Sequence, residues 1–401
     1  MAIPGPLFLD PQVYIAIAAI VFTFAISPNS ISRKISLLVG SLLFYFYFAG
    51  PKQLAIIIGI TLITFAMGRL KSKGAFIFGI ILNFLAILAS KMLVYSSNVK
   101  YEELKVLIPL GISFFVFENV HYLIEVRRGN LVAERSPLNF FLFDLFFPTV
   151  ISGPIKRFND FNLQVNNLSR IATSNLVIAM KFISLGFIYK FGADQFANLQ
   201  HWGHYYNAYT GILNGCMFLV TVSLRIFLDF AGYSYMAIGI ARIFGIVIPK
   251  NFDAPYLSTS IIDFWNRWHI SLSSWVRDYL YIPLGGSRVQ FQRQVLNLLV
   301  AMAIIGLWHG LGNRFLVWGL IQGVGLSINH AIRRVSKSDS KRRESALISR
   351  SKLLLKWLLT YLFVCISWIF FFYEPSEAVR ILRAIFMSGK IATFFELWVG
   401  I

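Results

Sequence analysis

"DFWNRWHISLSSWVRDYLYIPLGG", residues 263–286, sets how the rest of the chain is read. Three tryptophans, two arginines, two aspartates and a histidine crowd into it, while the other long stretches are mostly Leu, Ile, Phe and Val. An ionisable group at a bilayer centre costs about 3 kcal/mol or more. Asp263, Arg267, Arg277 and Asp278 must therefore face protein, water or the membrane interface. Helical spacing puts Asp263 and Arg267 at i,i+4, within pairing reach. It places Trp265, His269 and Ser273 on one face and Trp268, Leu272 and Trp275 on another. Pro255 before the stretch and Pro283–Gly286 after it bound a helix with breakers. Two readings stand at this point. One is an amphipathic interfacial helix with tryptophans at headgroup level and snorkelling arginines. The other is a polar wall inside the protein, and only that reading needs the histidine.

Outward from this stretch the chain is apolar. It has 401 residues, of which 57% are hydrophobic and 14% charged, against about 25% charged in soluble domains. Mean hydropathy is +0.66. Apolar segments recur at Val13–Ile26, Ile35–Ala49, Leu54–Met67, Ala75–Leu88, Leu176–Phe187, Ile212–Leu228, Val295–Leu307 and Leu353–Tyr373. They predict an all-α polytopic membrane protein with about eleven transmembrane helices. Several fall short of the ~20 residues that span a bilayer, so tilt, re-entry or burial between neighbours is implied.

The leading residues MAIPGPLFLDP carry no Lys or Arg, so the first segment is expected to be a span and not a cleaved signal. Basic residues follow alternate segments: Arg33 and Lys34, then Arg69, Lys71 and Lys73, then Arg127, Arg128 and Arg135. The intervening loops hold Lys52 alone and a balanced Lys100, Glu102, Glu103 and Lys105. The positive-inside rule then puts the amino terminus outside. Arg333 to Lys356 carries nine Lys/Arg against two acids and belongs in the cytoplasm. The formal charge of +19 is thus a topology and lipid-headgroup signal, and nucleic acid is not an expected partner. Cys216 and Cys365 lie in apolar segments and form no framework. Ser336–Ser351 is the one linker-like stretch, and the chain, 1–401, reads as a single domain.

A second polar intrusion is "GLWHGLGNRF", residues 306–315, where an apolar segment ends on Trp308, His309 and Gly310. A histidine among small residues there either faces a cavity, the glycines admitting a ligand or a neighbouring backbone, or is satisfied by a carbonyl. His201 and His204 fall in a polar loop expected outside, and two histidines at i,i+3 with no third ligand make no metal site. His121 and His330 read as structural. HExxH, GxSxG and a Walker lysine are all missing from the sequence, which argues against the commonest metalloprotease, serine-hydrolase and NTP-driven designs.

The two histidine stretches together resemble the membrane-bound O-acyltransferases, and within them the bacterial branch that includes the alginate O-acetyltransferase membrane subunit. The family's paired motifs read here as Trp268-His269-Ile270-Ser271-Leu272 and Leu307-Trp308-His309-Gly310, with the histidines 40 positions apart. "IPLGISFFVFENVHYLIEVRRG" (108–129) is similar to the family's re-entrant entry segment, and "FPTVISGPIKRFNDF" (147–161) to its Gly-Pro-Ile turn. "RDYLYIPLGGSR" (277–288), "DFAGYSYMAIGIARIFGIVIPKNFDAPY" (229–256) and "CISWIFFFYEPSEAVRILRAIF" (365–386) match further. The chain departs from the pattern at Tyr235, where an Asp is expected after "GYS", and it ends soon after the last matching segment.

The resemblance implies tilted, re-entrant and interfacial helices around a central funnel or tunnel, with both imidazoles meeting in one wet pocket. It implies acyl transfer, acetyl foremost, from a cytoplasmic thioester to hydroxyls of an exported polysaccharide. His309 is then the expected general base, and His269 orients the acceptor or stabilises the oxyanion. Arg267, Ser273 and Trp308 are expected to shape the substrate site. No permanently bound cofactor or metal is expected; the donor, acetyl-CoA or an acyl carrier protein, is a co-substrate. Membrane lipids, the polysaccharide acceptor and periplasmic acetylation proteins are the implied partners, and a bacterial inner membrane the implied location. Three rivals remain: a transporter or flippase of acyl groups or lipid-linked sugars, an inactive scaffold, and D-alanyl transfer to a cell-wall polymer. A transporter predicts internal repeats with broken helices in matching positions, and the sequence shows no such duplication.

Overall fold

The computed structural model describes residues 10–70, 72–96, 109–205, 209–336 and 346–387. Sixteen α-helices run through them, grouped into two compact units: Ala2–Phe187 with Gly232–Lys250, and Ile188–Ala231 with Asn251–Ile401.

The first unit holds α1 (Pro11–Ile26), α2 (Ser30–Ala49), α3 (Pro51–Arg69), α4 (Lys73–Ser96) and α5 (Ile112–Arg128). The short helices α6 (Pro137–Leu145), α7 (Phe147–Val150) and α8 (Phe158–Asn166) complete it. Local chemistry sets the starts. Asn29 caps α2 through a reciprocal pair, its side chain accepting from the Ser32 amide at 2.9 Å while Ser32 Oγ accepts from the Asn29 amide at 3.1 Å. Gly111 precedes α5 at φ +78°, where an added Cβ would lie 1.9 Å from the Val150 carbonyl oxygen. Only glycine fits that approach.

Helix α5 is buried from Ile112 through Leu123 and carries Glu118 inward. Lys156 Nζ donates to both Glu118 carboxylate oxygens at 2.8 Å and to Thr149 Oγ1 at 2.6 Å. The Lys156 amide adds a bond to Glu118 Oε1 at 2.9 Å. Such a pair survives burial because its charges are mutually compensated and hydrogen-bonded.

Helices α9 (Thr173–Tyr205) and α10 (Ile212–Ile243) contribute to both units. The rest of the second unit is a 3-10 turn (Pro255–Leu257), α11 (Ile261–Arg267), α12 (Ile270–Val276), a π-helical turn (Arg277–Tyr281) and α13 (Phe291–His309). Helices α14 (Asn313–Ser336), α15 (Ala346–Phe372) and α16 (Pro375–Met387) follow. The hairpin α13–α14 packs backbone to backbone. A Cβ on Gly306 would sit 2.2 Å from the Phe315 carbonyl oxygen, and one on Gly319 2.3 Å from that of Met302. Small residues at such crossings let membrane helices approach closely.

Among the described residues eight helices, α2, α3, α4, α9, α10, α13, α14 and α15, are long and apolar enough to cross a membrane. Their outward residues, among them Leu43, Val177, Met180, Phe191 and Leu354, are exposed apolar surface that only lipid solvates well. The chain is a polytopic membrane protein. The shorter apolar helix α1 stands beside these eight. Apolar residues 112–123 and 140–151 are greasy because protein surrounds them, in α5 and the short helices after it. His201 and His204 are not in a loop either, for α9 continues through both. Most of the basic linker, 337–345, and the Lys100–Lys105 group lie outside the described residues.

Candidate active site

The opening stretch is not one helix. Ser260 Oγ caps α11 by accepting from the Asp263 amide at 3.1 Å, and Asp263 pairs with Arg267 Nε at 2.9 Å as the spacing predicts. Helix α11 then stops. The Asp253 amide takes the Arg267 carbonyl at 3.0 Å, and the Ile270 amide donates to the Asn251 carbonyl at 2.9 Å. A short antiparallel bridge between Phe252 and Trp268 results. With these groups engaged outside the helix, the i→i+4 series cannot continue across 268–269. His269 crosses the break in the left-handed region at φ +44°, and its carbonyl starts α12 by accepting from the Ser273 amide at 2.9 Å. That conformation costs an L-residue about 1–2 kcal/mol. The expected shared face of Trp265, His269 and Ser273 is therefore overturned: no continuous helix carries them.

The break buries His269, which is 2% exposed. Its ring lies 4.6 Å from that of Phe230 and 6.0 Å from that of Trp308, edge to face with both. Loss of hydration pushes its pKa from 6.5 down to about 3, so the imidazole is neutral. His309 is the last residue of α13 and is half-buried. Its ring stands 4.6 Å from Trp308, 5.0 Å from Phe371 and 5.4 Å from Trp318. Trp308 thus touches both imidazoles, which lie no further apart than those two distances end to end. Behind them Trp318 stacks on Trp368 at 5.5 Å. Trp265 is locked by Nε1 donating to Gln322 Oε1 at 3.1 Å, and Gln322 by donating to Ser367 Oγ at 2.7 Å. The glycines beside His309 admit backbone and ring: a Cβ on Gly310 would strike Phe315 at 2.4 Å.

A cavity of about 200 Å³ opens between α11–α12, the π turn and the α13–α14 hairpin. Ile270, Ser273, Met302 and Ile305 line one part, and Arg277, Tyr281 and His330 are among its polar lining. Neither His269 nor His309 lines it, although Ile270 adjoins one and Ile305 sits one turn before the other. Gln294 braces the polar groups, its Nε2 3.1 Å from His330 Nδ1 and its Oε1 accepting from Arg334 at 2.9 Å.

Of the residues singled out from sequence, His269, His309 and Trp308 come together. Ser273 lines the cavity and donates to the Trp268 carbonyl at 3.0 Å. Arg267 engages Asp263 and is not among the cavity-lining residues. Phe230, Phe371 and Gln322 were missed, since each sits in an apolar helix far along the chain; the lone Gln322 in "LIQGVG" was the available signal. Elsewhere, His121 Nε2 accepts from the Phe158 amide at 3.0 Å. Among the described residues no group of three or more His, Cys, Asp or Glu is arranged to hold a metal.

A sequence model of the membrane-bound O-acyltransferase family, MBOAT, matches residues 129–373. The chain is 39% identical over 287 residues to "Probable alginate O-acetylase AlgI" of Pseudomonas syringae pv. tomato, covering 71% of this chain and 53% of the relative. It is 30% identical to "Peptidoglycan O-acetyltransferase" of Helicobacter pylori, covering 94% and 74%. It is 36% identical to "Teichoic acid D-alanyltransferase" of Streptococcus thermophilus, covering 59% and 60%. The chain spans about half the length of the alginate relatives it matches.

Proposed function

This chain belongs to the membrane-bound O-acyltransferase family, and on that premise we propose that it moves an acetyl group from a cytoplasmic thioester to hydroxyls of an exported polysaccharide. The observation that carries this reading is the packing of two imidazoles, His269 and His309, on one Trp308 ring. The acceptor hydroxyl attacks the thioester carbonyl carbon as its proton passes to His309. The C–O bond forms, the C–S bond breaks, and the proton leaves with the thiolate. His309 suits the base role because it is less buried than His269 and so more open to an incoming hydroxyl. Neutral His269, fixed by the helix break, orients the hydroxyl or donates to the developing oxyanion.

The cavity lined by Ile270 and Ile305 takes the arm that carries the thioester. Apolar Met302 and Ile305 and polar Arg277 and His330 all line it, and the basic residues after α14 attract an anionic donor, acetyl-CoA or an acyl carrier protein. Ser273 shapes this route from its wall, Trp308 holds the two imidazoles, and Arg267, paired with Asp263, is proposed to shape the site from outside the lining. Acetyl is favoured over D-alanyl because relatives named as O-acetyltransferases cover more of this chain. Alternating basic loops support a bacterial inner membrane with the amino terminus outside. Periplasmic acetylation proteins complete delivery to the polymer. Mass spectrometry of envelope polysaccharides tests the reading. Loss of O-acetyl esters when the protein is removed supports it; an unchanged ester content, or polymer merely relocated, rejects it.

A further inference from the structure

The amino end of α2 gathers positive charge that no acid answers. Arg33 stands one turn into the helix and is 6% exposed, and Lys34 follows it. The first turn holds no Asp or Glu. The helix dipole already makes this end positive, so cations there are disfavoured unless an anion joins them. Lys34 is provided for: its Nζ donates to Asn166 Oδ1 at 2.7 Å and to Asn139 Oδ1 at 3.0 Å. Glu134 lies within electrostatic reach of Lys34, but its oxygens are engaged by the Arg135 and Ser136 amides and by Asn162, each at 2.8 Å.

Arg33 is not provided for. Its Nη1 donates to the Leu168 carbonyl at 3.3 Å, and its Nη2 reaches the Pro28 carbonyl only at 3.5 Å. Its Nε is buried without a hydrogen-bond partner among the described residues. Nε and Nη2 are the edge with which a guanidinium grips a phosphate or carboxylate through two parallel bonds. Here that edge has one stretched contact to a neutral carbonyl, which also turns the guanidinium back over the start of the helix. Ser30 lies three residues before Arg33, on the same face, and its Oγ is likewise buried without a partner among the described residues. The Ser30 and Ile31 amides precede the first intrahelical bond, from the Arg33 amide to the Asn29 carbonyl at 3.1 Å. A guanidinium fork, a hydroxyl and helix-end amides together suit a phosphate. Pro28 and Asn29, both exposed, open this end of the helix to the surface.

The surface beside the site names what carries the phosphate. Ile31, Ile35, Val39 and Leu43 are all exposed and stand four residues apart, so they form one apolar track along α2 from its first turn. A phospholipid whose headgroup sits at the end of α2 lays an acyl chain on that track, whereas free phosphate leaves the track unused. Basic clusters at the end of a membrane helix draw anionic lipid in particular. We propose that the amino end of α2 binds the phosphate of an anionic phospholipid through Arg33 and Ser30, an inference that needs nothing from the acyl-transfer reading. The chain, purified in detergent, is titrated with dioleoylphosphatidylglycerol or dioleoylphosphatidylcholine, and bound lipid is followed by native mass spectrometry. The wild type is expected to hold phosphatidylglycerol about tenfold more tightly, and Arg33→Gln to lose that preference. No preference in the wild type, or one that survives Arg33→Gln, overturns the site. Should Arg33→Gln not fold, Ser30→Asp decides. Its carboxylate takes the place of the phosphate, so it is expected to melt above wild type without lipid and to gain nothing from phosphatidylglycerol. Stabilisation of Ser30→Asp by phosphatidylglycerol as large as that of wild type overturns the proposal. Inorganic phosphate is the last arm: if it raises the wild-type melting point as phosphatidylglycerol does, the occupant is a free anion and the lipid assignment falls.

Discussion

Two buried polar clusters in this protein are built on opposite principles. In the first unit Glu118 and Lys156 saturate each other: two charge-assisted bonds, a backbone amide and a threonine hydroxyl. Glu118 sits on the regular helix α5 and Lys156 on the segment just before α8, and the phenylalanines around them are close-packed, Lys156 lying 5.3 Å from the Phe143 ring. In the second unit His269 sits on a broken helix at positive φ, His309 ends a span, and a cavity lies alongside. Saturation makes a cluster structural. Strain held in place by surrounding structure, next to open volume, marks a site that does work on something else.

The contrast is sharpest in what substitution removes. Lys156→Met leaves the Glu118 carboxylate buried and uncompensated, an expected loss of about 3–5 kcal/mol. The double variant Glu118→Gln, Lys156→Met is expected to recover much of it, since both charges go together. Denaturation in detergent micelles measures both; equal losses would show that the charge pair is not what holds the unit. At 269 the backbone decides. His269→Asn tolerates the left-handed conformation and His269→Val does not, so the valine variant is expected to be less stable by about 1–2 kcal/mol. Equal melting of the two would mean that the helix does not break there.

Acid separates the clusters next. Burial keeps the His269 pKa near 3 against 6.5 in the unfolded chain, so the folded state stays neutral where the unfolded state takes up a proton. Its contribution is complete above pH 6.5 and is lost as pH falls toward 3, by up to about 1.4 kcal/mol per pH unit. Melting at about pH 7 and about pH 5, compared between wild type and His269→Asn, isolates it: the variant's decline should be the shallower. The smallest effect is expected at the partly exposed Asp263–Arg267 pair. Asp263→Asn should cost about 0.2–1 kcal/mol by the same melting assay.

The two clusters also differ in how far the sequence disclosed them. Asp263 and Arg267 were legible because their pairing is local, one helical turn. His269 and His309 stood out as polar residues in greasy surroundings. The break at 268–269 was not legible, since no glycine or proline marks it. It is made by Asn251–Asp253, and bonds between such separated segments leave no periodic trace. Glu118 and Lys156, 38 positions apart, were hidden for the same reason, although each is a charge inside an apolar run.

The central claim is that chemistry resides with His309 and not with the saturated Glu118–Lys156 pair. Its most direct test is acetyl transfer from a radiolabelled thioester to oligosaccharide by wild type and His309→Gln, at matched amounts of folded protein. The account predicts a fall of about 10²–10⁴-fold with the melting point unchanged. Transfer at the wild-type rate by His309→Gln would contradict it.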